Sequence, residues 1–470
     1  MATNVVTQRR ATAWQSVMEA IRGTQQDFTE GSISRAVFLL ATPMVLEMLM
    51  ESLFAIVDVF WVTRLGANAV ATVGLTESML SLVFSVAMGV SMSTTAMVAR
   101  RTGEKDARGA TTAAVQAILL GVTLALLMGL PGYWLAPRLL DWMGAPADLI
   151  ATGHQYTRIV LGGSVSVMLL FLNNAIFRGA GDASIAMRVL WVSNLINLAL
   201  DPCLIFGLGP FPRLGVTGAA VSTLTGRSFG VLYQSWILTR GHSRIVIRWP
   251  DVRIVPRVIT SLMRVSATGV MQFAVAHTSW IALVRIISSF GGAAVAGYTI
   301  GIRIFVFAIL PSWGLSGAAA TMMGQNLGAG KPERAERAVY LTGFYNTLFM
   351  AFVAAVFITV PEPIVCLFTT DPAVTPFAVS CLRIIAYGNL GYAFGMVMVQ
   401  AFNGAGDTVT PTIINMFGFW LCEIPLAWTL AFPAGMGVRG VFTAIPISEA
   451  LITAMGLIIF MRGRWKRIKI

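Results

Sequence analysis

The chain has 470 residues, 56% hydrophobic and only 11% charged, with a mean hydropathy of +0.76. An average soluble domain carries about 25% charge, so the composition excludes a soluble globular protein and points to an integral membrane protein. The net charge of +12 would suit a nucleic-acid binder. Its basic residues, however, are scattered through short loops, so no nucleic-acid partner is expected and attraction to membrane lipid headgroups is the better reading.

About 20 apolar residues are needed to cross about 30 Å of hydrocarbon, and long runs without strict alternation select helices over strands. Residues 1–33 contain polar runs and no apolar core with a cleavage site, so they read as a cytoplasmic segment rather than a signal peptide. Six candidate spans follow at roughly 36–62, 69–98, 111–131, 152–176, 189–207 and 214–238, forming a first lobe over 34–239. A basic connector at 240–257, RGHSRIVIRWPDVRIVPR, leads to a second lobe over 258–461. Its spans lie at roughly 258–288, 295–323, 338–360, 376–401, 409–431 and 440–461, and a basic tail at 462–470 ends the chain.

The distribution of Lys and Arg sets the orientation. Connections on the side of the amino terminus hold Arg9, Arg10, Arg22 and Arg35, then Arg100, Arg101, Lys105 and Arg108, and the tail adds Arg462, Arg464, Lys466, Arg467 and Lys469. The opposite side holds only Arg64, Arg138, Arg213 and Arg439. A multi-pass protein of the cell membrane with both termini in the cytoplasm is expected.

Near-identical phrases recur at one fixed offset: FRGAGD at 177–182 and FNGAGD at 402–407, then LGANAVA at 65–71 and FGGAAVA at 290–296. Gly103 faces Gly328, and Gly215-Val216 faces Gly440-Val441, in the same register. Six spans per half keep the two halves in one orientation, which makes a parallel repeat about an axis along the membrane normal. The aspartates of the two motifs, Asp182 and Asp407, are expected to cap the helices that follow.

Intramembrane acids are costly and mark functional sites by default. The first span carries Glu47, Glu51 and Asp58, which share one helix face at about 100° per residue. That face is expected to line a cavity, or else to pair with Arg285 or Arg303. The fourth span adds Asn173 and Asn174, and the fifth adds Asn194, Asn197 and Asp201. Asn197 and Asp201 are one turn apart, and a carboxylate beside amides in low dielectric can hold a proton or a small cation. Pro43 and Pro202 remove backbone donors and are expected to bend their helices. At the offset set by the two motifs, Asp58, Asn197 and Asp201 face Leu283, Cys422 and Leu426, so the site is expected in the first lobe alone. Spacing assigns no role to Glu77 or Glu449. His154, His242 and His277 are far apart, and Cys203, Cys366, Cys381 and Cys422 show no CxxC spacing. No catalytic set, metal site or cofactor is therefore expected.

The chain resembles the multidrug and toxic compound extrusion (MATE) family over nearly its whole length. The resemblance rests on PMVLEML followed by VDVFWVTRLGANAVA, on FRGAGD and FNGAGD at matching turns, and on NLALDPCLIFGLG, GVTGAAVST and GQNLGAGKPERA, taken together with their order, spacing and duplication. The chain looks most like the branch of DNA-damage-inducible bacterial members and their archaeal relatives. This implies an all-α fold of twelve transmembrane helices, in two six-helix lobes around a V-shaped cleft. It also implies export of bulky, often cationic or amphipathic drugs or toxic compounds in exchange for H⁺ or Na⁺, by alternating access. The implied ion-coupling site is Asp58, Asp201, Asn197 and Asn174, with Pro43 as the bending point of the first helix. Glu47, Glu51, Asn173 and Asn194 are the candidate substrate-cavity residues. The seventh span offers Gln272 and the tenth no acid where another branch has an acidic pair, which favours H⁺ over Na⁺. A monomer surrounded by membrane lipids is expected. A lipid-linked precursor flippase is the main alternative, and it calls for a more cationic cavity.

Overall fold

The computed structural model describes residues 13–23, 26–241 and 243–468; Arg9, Arg10, His242 and Lys469 lie outside the described residues. Among the described residues, nine helices are long and apolar enough to cross a membrane, and a tenth crossing joins Thr375–Ala386 to Asn389–Ala405 at a 61° bend. Ile33–Thr63 and Val216–Arg240 complete the twelve. In Val216–Arg240 the apolar run is interrupted by Ser222, Thr223 and Arg227, which belong to the candidate site. In chain order the first six spans are Ile33–Thr63, Ala67–Gly103, Ala107–Trp142, Ala147–Ala180, Ala183–Phe206 and Val216–Arg240. The second six are Pro256–Ser288, Gly292–Gly328, Pro332–Thr359, the bent tenth pair, Val409–Ala431 and Val438–Met461.

The repeat is written into the backbone. Gly66 and Gly291 open the second and eighth spans at φ 96° and 100°, and Gly181 and Gly406 end the fourth and tenth at 90° and 86°. Lys105 and Gly330 share the left-handed region at 59° and 70°, and a side chain is present there in only one lobe.

The register changes late in each lobe. Gly215 and Gly437 precede the sixth and twelfth helices with matching angles, φ 57°, ψ −135° and φ 58°, ψ −140°. The true partner of Gly215 is therefore Gly437 and not Gly440. Gly218 packs on the Leu204 backbone as Gly440 packs on that of Leu430, so Leu204 pairs with Leu430 rather than with the residue before it. The extra residue enters through the π-helical turn Met416–Glu423. This turn lies just before Pro425, whose ring cannot accept an ordinary α-helical neighbour four residues back. The connection to the twelfth span is then shorter than its counterpart in the first lobe. In this register Asp201 faces Ala427, Ser222 faces Ala444 and Arg227 faces Glu449, a correction to the pairing expected from a constant offset.

The repeated aspartates also diverge. Asp407 caps its helix, accepting from the Thr410 amide at 3.0 Å and the Thr410 hydroxyl at 2.6 Å. Asp182 does not cap. It holds the connector instead, accepting from the Ser243 hydroxyl and the Arg244 amide, each at 2.9 Å.

The lobes meet along two pseudo-equivalent crossings. The second span packs on the seventh, where Gly89 lies against Val270 and the Ser93 and Ser266 hydroxyls are 2.7 Å apart. The eighth packs on the first, where Gly314 lies against the Met44 backbone. At the arginine-rich end, a Cβ on Gly103 would sit 1.9 Å from the Gln325 carbonyl oxygen, and one on Gly328 would sit 2.1 Å from that of Arg100. Only glycine permits this approach, and it closes that end of the cleft.

Residues 26–31 strap the same end. Phe28 is 1% exposed, against Gly181 of one lobe and Gln325 of the other. Lys331 donates to the Thr29 carbonyl at 3.0 Å, and Arg334 donates to those of Gly31 and Glu30 at 2.8 Å. Lys105, on the first lobe, lies 3.6 Å from Asp27. Partial burial pushes the Asp27 carboxyl up, but the Thr29 hydroxyl and amide and Lys105 outweigh it, so it titrates below the ordinary carboxylate value.

Candidate functional site

The three acids of the first span share a face, and the structure turns that face into the first lobe. Glu47 is fully buried and forms an ion pair with Arg178 of the fourth span, not with Arg285 or Arg303. Its Oε1 also accepts from the Asn174 amide at 3.1 Å, and Gln234 of the sixth span donates to the Asn174 carbonyl at 2.6 Å. Asn174 thus serves the Glu47 network and lies apart from Asp201. Two residue types drive this. A buried carboxylate needs a cation and donors, and Arg178 and Asn174, one turn apart on one helix face, supply both.

One turn along the first span, Glu51 accepts from the Asn194 amide at 3.2 Å. Asn173 is 2% exposed, and its Oδ1 has no hydrogen-bond partner among the described residues.

The third group lies further toward the open end. Asp201, fully buried, accepts a hydrogen bond from the Ser222 hydroxyl through Oδ1, while its Oδ2 is unpartnered among the described residues. Asn197 donates to Thr223 at 3.0 Å and to Ser222 at 3.4 Å. Ser222 therefore bridges Asn197 and Asp201. Asp58 lies within electrostatic reach of Asp201, Glu77 and Arg227, and has no hydrogen-bond partner among the described residues. The structure brings Asp58, Asp201 and Asn197 into one neighbourhood and adds Ser222, Thr223, Glu77 and Arg227. The Arg227 guanidinium also lies 5.8 Å from the Phe84 ring centre. An acid pair with one spare carboxylate oxygen, hydroxyls and an amide can hold a proton or a small cation.

Between the lobes lies a cavity of about 250 Å³. The first span presents Met44 and Met48 to it, and Glu47, Glu51, Asn173 and Asn194 do not line it. This differs from the expected acidic cavity face, because Met44 and Met48 each lie about 60° around the helix from Glu47 and Glu51 respectively. Phe171, Phe273, Trp313, Tyr392 and Phe419 supply aromatic walls. Arg178 reaches the cavity already paired with Glu47, and Glu449 of the twelfth span opens into it.

Pro43 lies inside an unbroken first helix and Pro202 inside an unbroken fifth. Sequence spacing missed Ser222 and Thr223, although their hydroxyls interrupt an apolar run. It also missed the Glu47–Arg178 pair, because 131 residues separate the partners.

The family model described as MatE matches residues 43–203 and again 270–429, one match in each lobe. A "Probable multidrug resistance protein NorM" of Thermotoga maritima is 25% identical over 93% of this chain and 94% of its own length. An "FAD transporter" of Shewanella oneidensis is 27% identical, over 85% of this chain and 88% of its own. A solved structure described as the outward-facing conformation of a multidrug resistance MATE family transporter superposes with a TM-score of 0.88 at 24% identity, covering 97% of this chain and 99% of that one. With both lobes matched by the family model, the chain belongs to the MatE, or multidrug and toxic compound extrusion, family of membrane transporters.

Proposed function

We propose that this protein exports bulky, often cationic or amphipathic compounds across the cell membrane in exchange for H⁺, by alternating access. The observation that carries the reading is the Asp58–Asp201 neighbourhood: a partly buried acid beside a fully buried one, the latter bound by Ser222 with a carboxylate oxygen to spare, in the lobe that also holds Pro43. With both termini in the cytoplasm, the strapped, glycine-closed end is the cytoplasmic one and the cleft opens outward.

In the outward-open state external protons reach Asp58 and Asp201. A protonated carboxyl accepts more weakly from the Ser222 hydroxyl, so neutralisation loosens the tie between the fifth and sixth spans. The first span then bends at Pro43, where a backbone donor is missing. Substrate leaves, the lobes close outside and open inside, and proton release resets the acids. Methionine and aromatic walls suit varied substrates, because thioethers adapt their shape and rings offer large apolar faces.

Sodium in place of H⁺ is the second reading, favoured by the oxygen-rich Asp201, Ser222 and Asn197 group. The flippase reading is weaker, since Arg178 is already committed to Glu47.

The test is drug-dependent ion movement in proteoliposomes under an imposed pH or sodium gradient, with Asp58→Asn and Asp201→Asn beside the parent. Proton-driven export by the parent, lost by at least about tenfold in both variants, is the expected outcome. Full transport by both variants, or coupling to sodium alone, rejects the proton mechanism. Competition by FAD in the same assay would move the substrate class toward that of the Shewanella relative.

A further inference from the structure

The central cavity carries unspent hydrogen-bonding capacity on both walls, Ser91 Oγ and Arg178 Nε on the first-lobe side and two amide carbonyl oxygens on the second. On the second-lobe side Gln272 is 6% exposed and Asn403 2%, and Gln272 Oε1 and Asn403 Oδ1 both lack a partner among the described residues. Both residues line the cavity. Buried acceptors left open cost stability unless something fills them. Glu449 lines the same cavity and has no hydrogen bond or ion pair among the described residues. It is the twelfth of the 24 residues of its helix, which sets it near the bilayer midplane. The charged group acting on it is Glu423, another acid, whose own carboxylate accepts from Ser279 at 2.7 Å. In the structural register the counterpart of Glu449 is Arg227, so the two lobes carry opposite charges at one place in the repeat. Around these acceptors stand Trp313, Phe273 and Tyr392, with the first two rings 6.4 Å apart.

A midplane carboxylate without a cation, two empty acceptors and a ring cluster are complementary to one kind of ligand. The geometry points to a subsite on the second-lobe wall for organic cations that carry N–H donors, such as amidinium or primary ammonium groups. Glu449 is the counter-charge, Gln272 and Asn403 accept the N–H groups, and Trp313 and Phe273 cover the flat part of the ligand. A quaternary or phosphonium cation satisfies the carboxylate and the rings but leaves both acceptors empty. The subsite thus discriminates by donor count as well as by charge. This assignment rests on the exporter reading and deepens it.

Two fluorescent or radiolabelled probes separate the contributions: the bis-amidinium dye DAPI, rich in N–H donors, and tetraphenylphosphonium, which has none. Equilibrium binding to the purified full-length protein in lipid nanodiscs is measured for the parent, Glu449→Gln, Glu449→Asp and Gln272→Leu. Glu449→Gln is expected to weaken both probes by about tenfold or more, and Glu449→Asp, which keeps the charge, by about threefold or less. Gln272→Leu is expected to weaken DAPI by about tenfold while leaving tetraphenylphosphonium within about twofold. Glu362→Gln, in an exposed ion pair with Arg383, serves as the unaffected control. Unchanged binding of both probes to Glu449→Gln overturns the assignment, and so does equal loss of both with Gln272→Leu. If Glu449→Gln does not fold, the Gln272→Leu contrast decides alone. Failure of proton-driven export by the parent strikes the exporter reading, whereas these binding results are read without any gradient.

Discussion

Glu47 and Arg178 of the first lobe occupy the places that Gln272 and Asn403 occupy in the second, at the offset of the repeated motifs. In the first lobe the two are charged and paired, with Asn174 and Gln234 completing the network. In the second they are neutral, both residues line the cavity, and their carbonyl oxygens are buried without partners among the described residues. The same contrast recurs deeper in the lobes. Asp201 and Ser222 are bonded to each other in the first, and Ala427 and Ala444, fully buried in one cluster, replace them in the second. A common backbone therefore carries a first lobe in which the Glu47 and Asp201 carboxylates are each bound by a side chain of another span, and a second lobe in which the matching places hold neutral or apolar side chains. The repeat supplies the scaffold, and the difference between its copies supplies the division of labour.

The largest test of this contrast is Arg178→Met, which strands the Glu47 carboxylate inside the lobe. A cost of about 2–3 kcal/mol is expected, less than for a sealed pair because Arg178 is partly open to the cavity. Asn403→Leu, at the matching position, should stay within about 1 kcal/mol, because it deletes an acceptor that had no partner and a single 3.2 Å hydrogen bond donated to Gln400. Thermal unfolding of the purified protein reads both, and equal losses would erase the distinction between the lobes. Adding Glu47→Leu to Arg178→Met should recover most of the loss.

Ser222→Ala comes next. It removes the hydrogen bond to Asp201 and should cost about 1.5 kcal/mol in the same melt, with slowed proton-driven export. Ala444→Ser is expected to leave export unchanged and to cost about 1 kcal/mol in the melt, since Ala427 offers its buried hydroxyl no partner.

The two motif aspartates should then separate. Asp407→Ala loses a helix cap worth about 1 kcal/mol. Asp182→Ala should instead free the 240–257 connector, seen as faster proteolysis there than in Asp407→Ala.

The smallest effect belongs to the strap. The Asp27–Lys105 contact is exposed and should contribute less than about 1 kcal/mol. Because the folded Asp27 titrates below its ordinary value of 3.8, its contribution is fully present above that value and is lost as pH falls below it. Cross-linking between residues 27 and 105 should therefore not change between pH 5 and 8, and should weaken only in stronger acid.

Much of this architecture is legible in the linear chain. Hydropathy is a local property, so all twelve crossings stand out as apolar runs, and FRGAGD and FNGAGD announce the duplication. The late shift of register was hidden, since a π-helical turn before Pro425 inserts one residue without leaving a sequence gap that short motifs can detect. The family resemblance alone groups Asn174 with Asp201. Only packing shows that it bonds to Glu47.

The amino-acid sequence by itself determined that the chain is a membrane protein, that it is a tandem repeat, and that the first lobe holds buried acids at helical spacing. Those features follow from composition and from the 3.6-residue period, which need no knowledge of neighbours. The tertiary structure alone decided which acid meets which cation, which face of the first span looks into the lobe, and that Glu449 stands uncompensated at the cavity wall. Such pairings join residues far apart in the chain, and the angle at which each helix rotates against the next sets them.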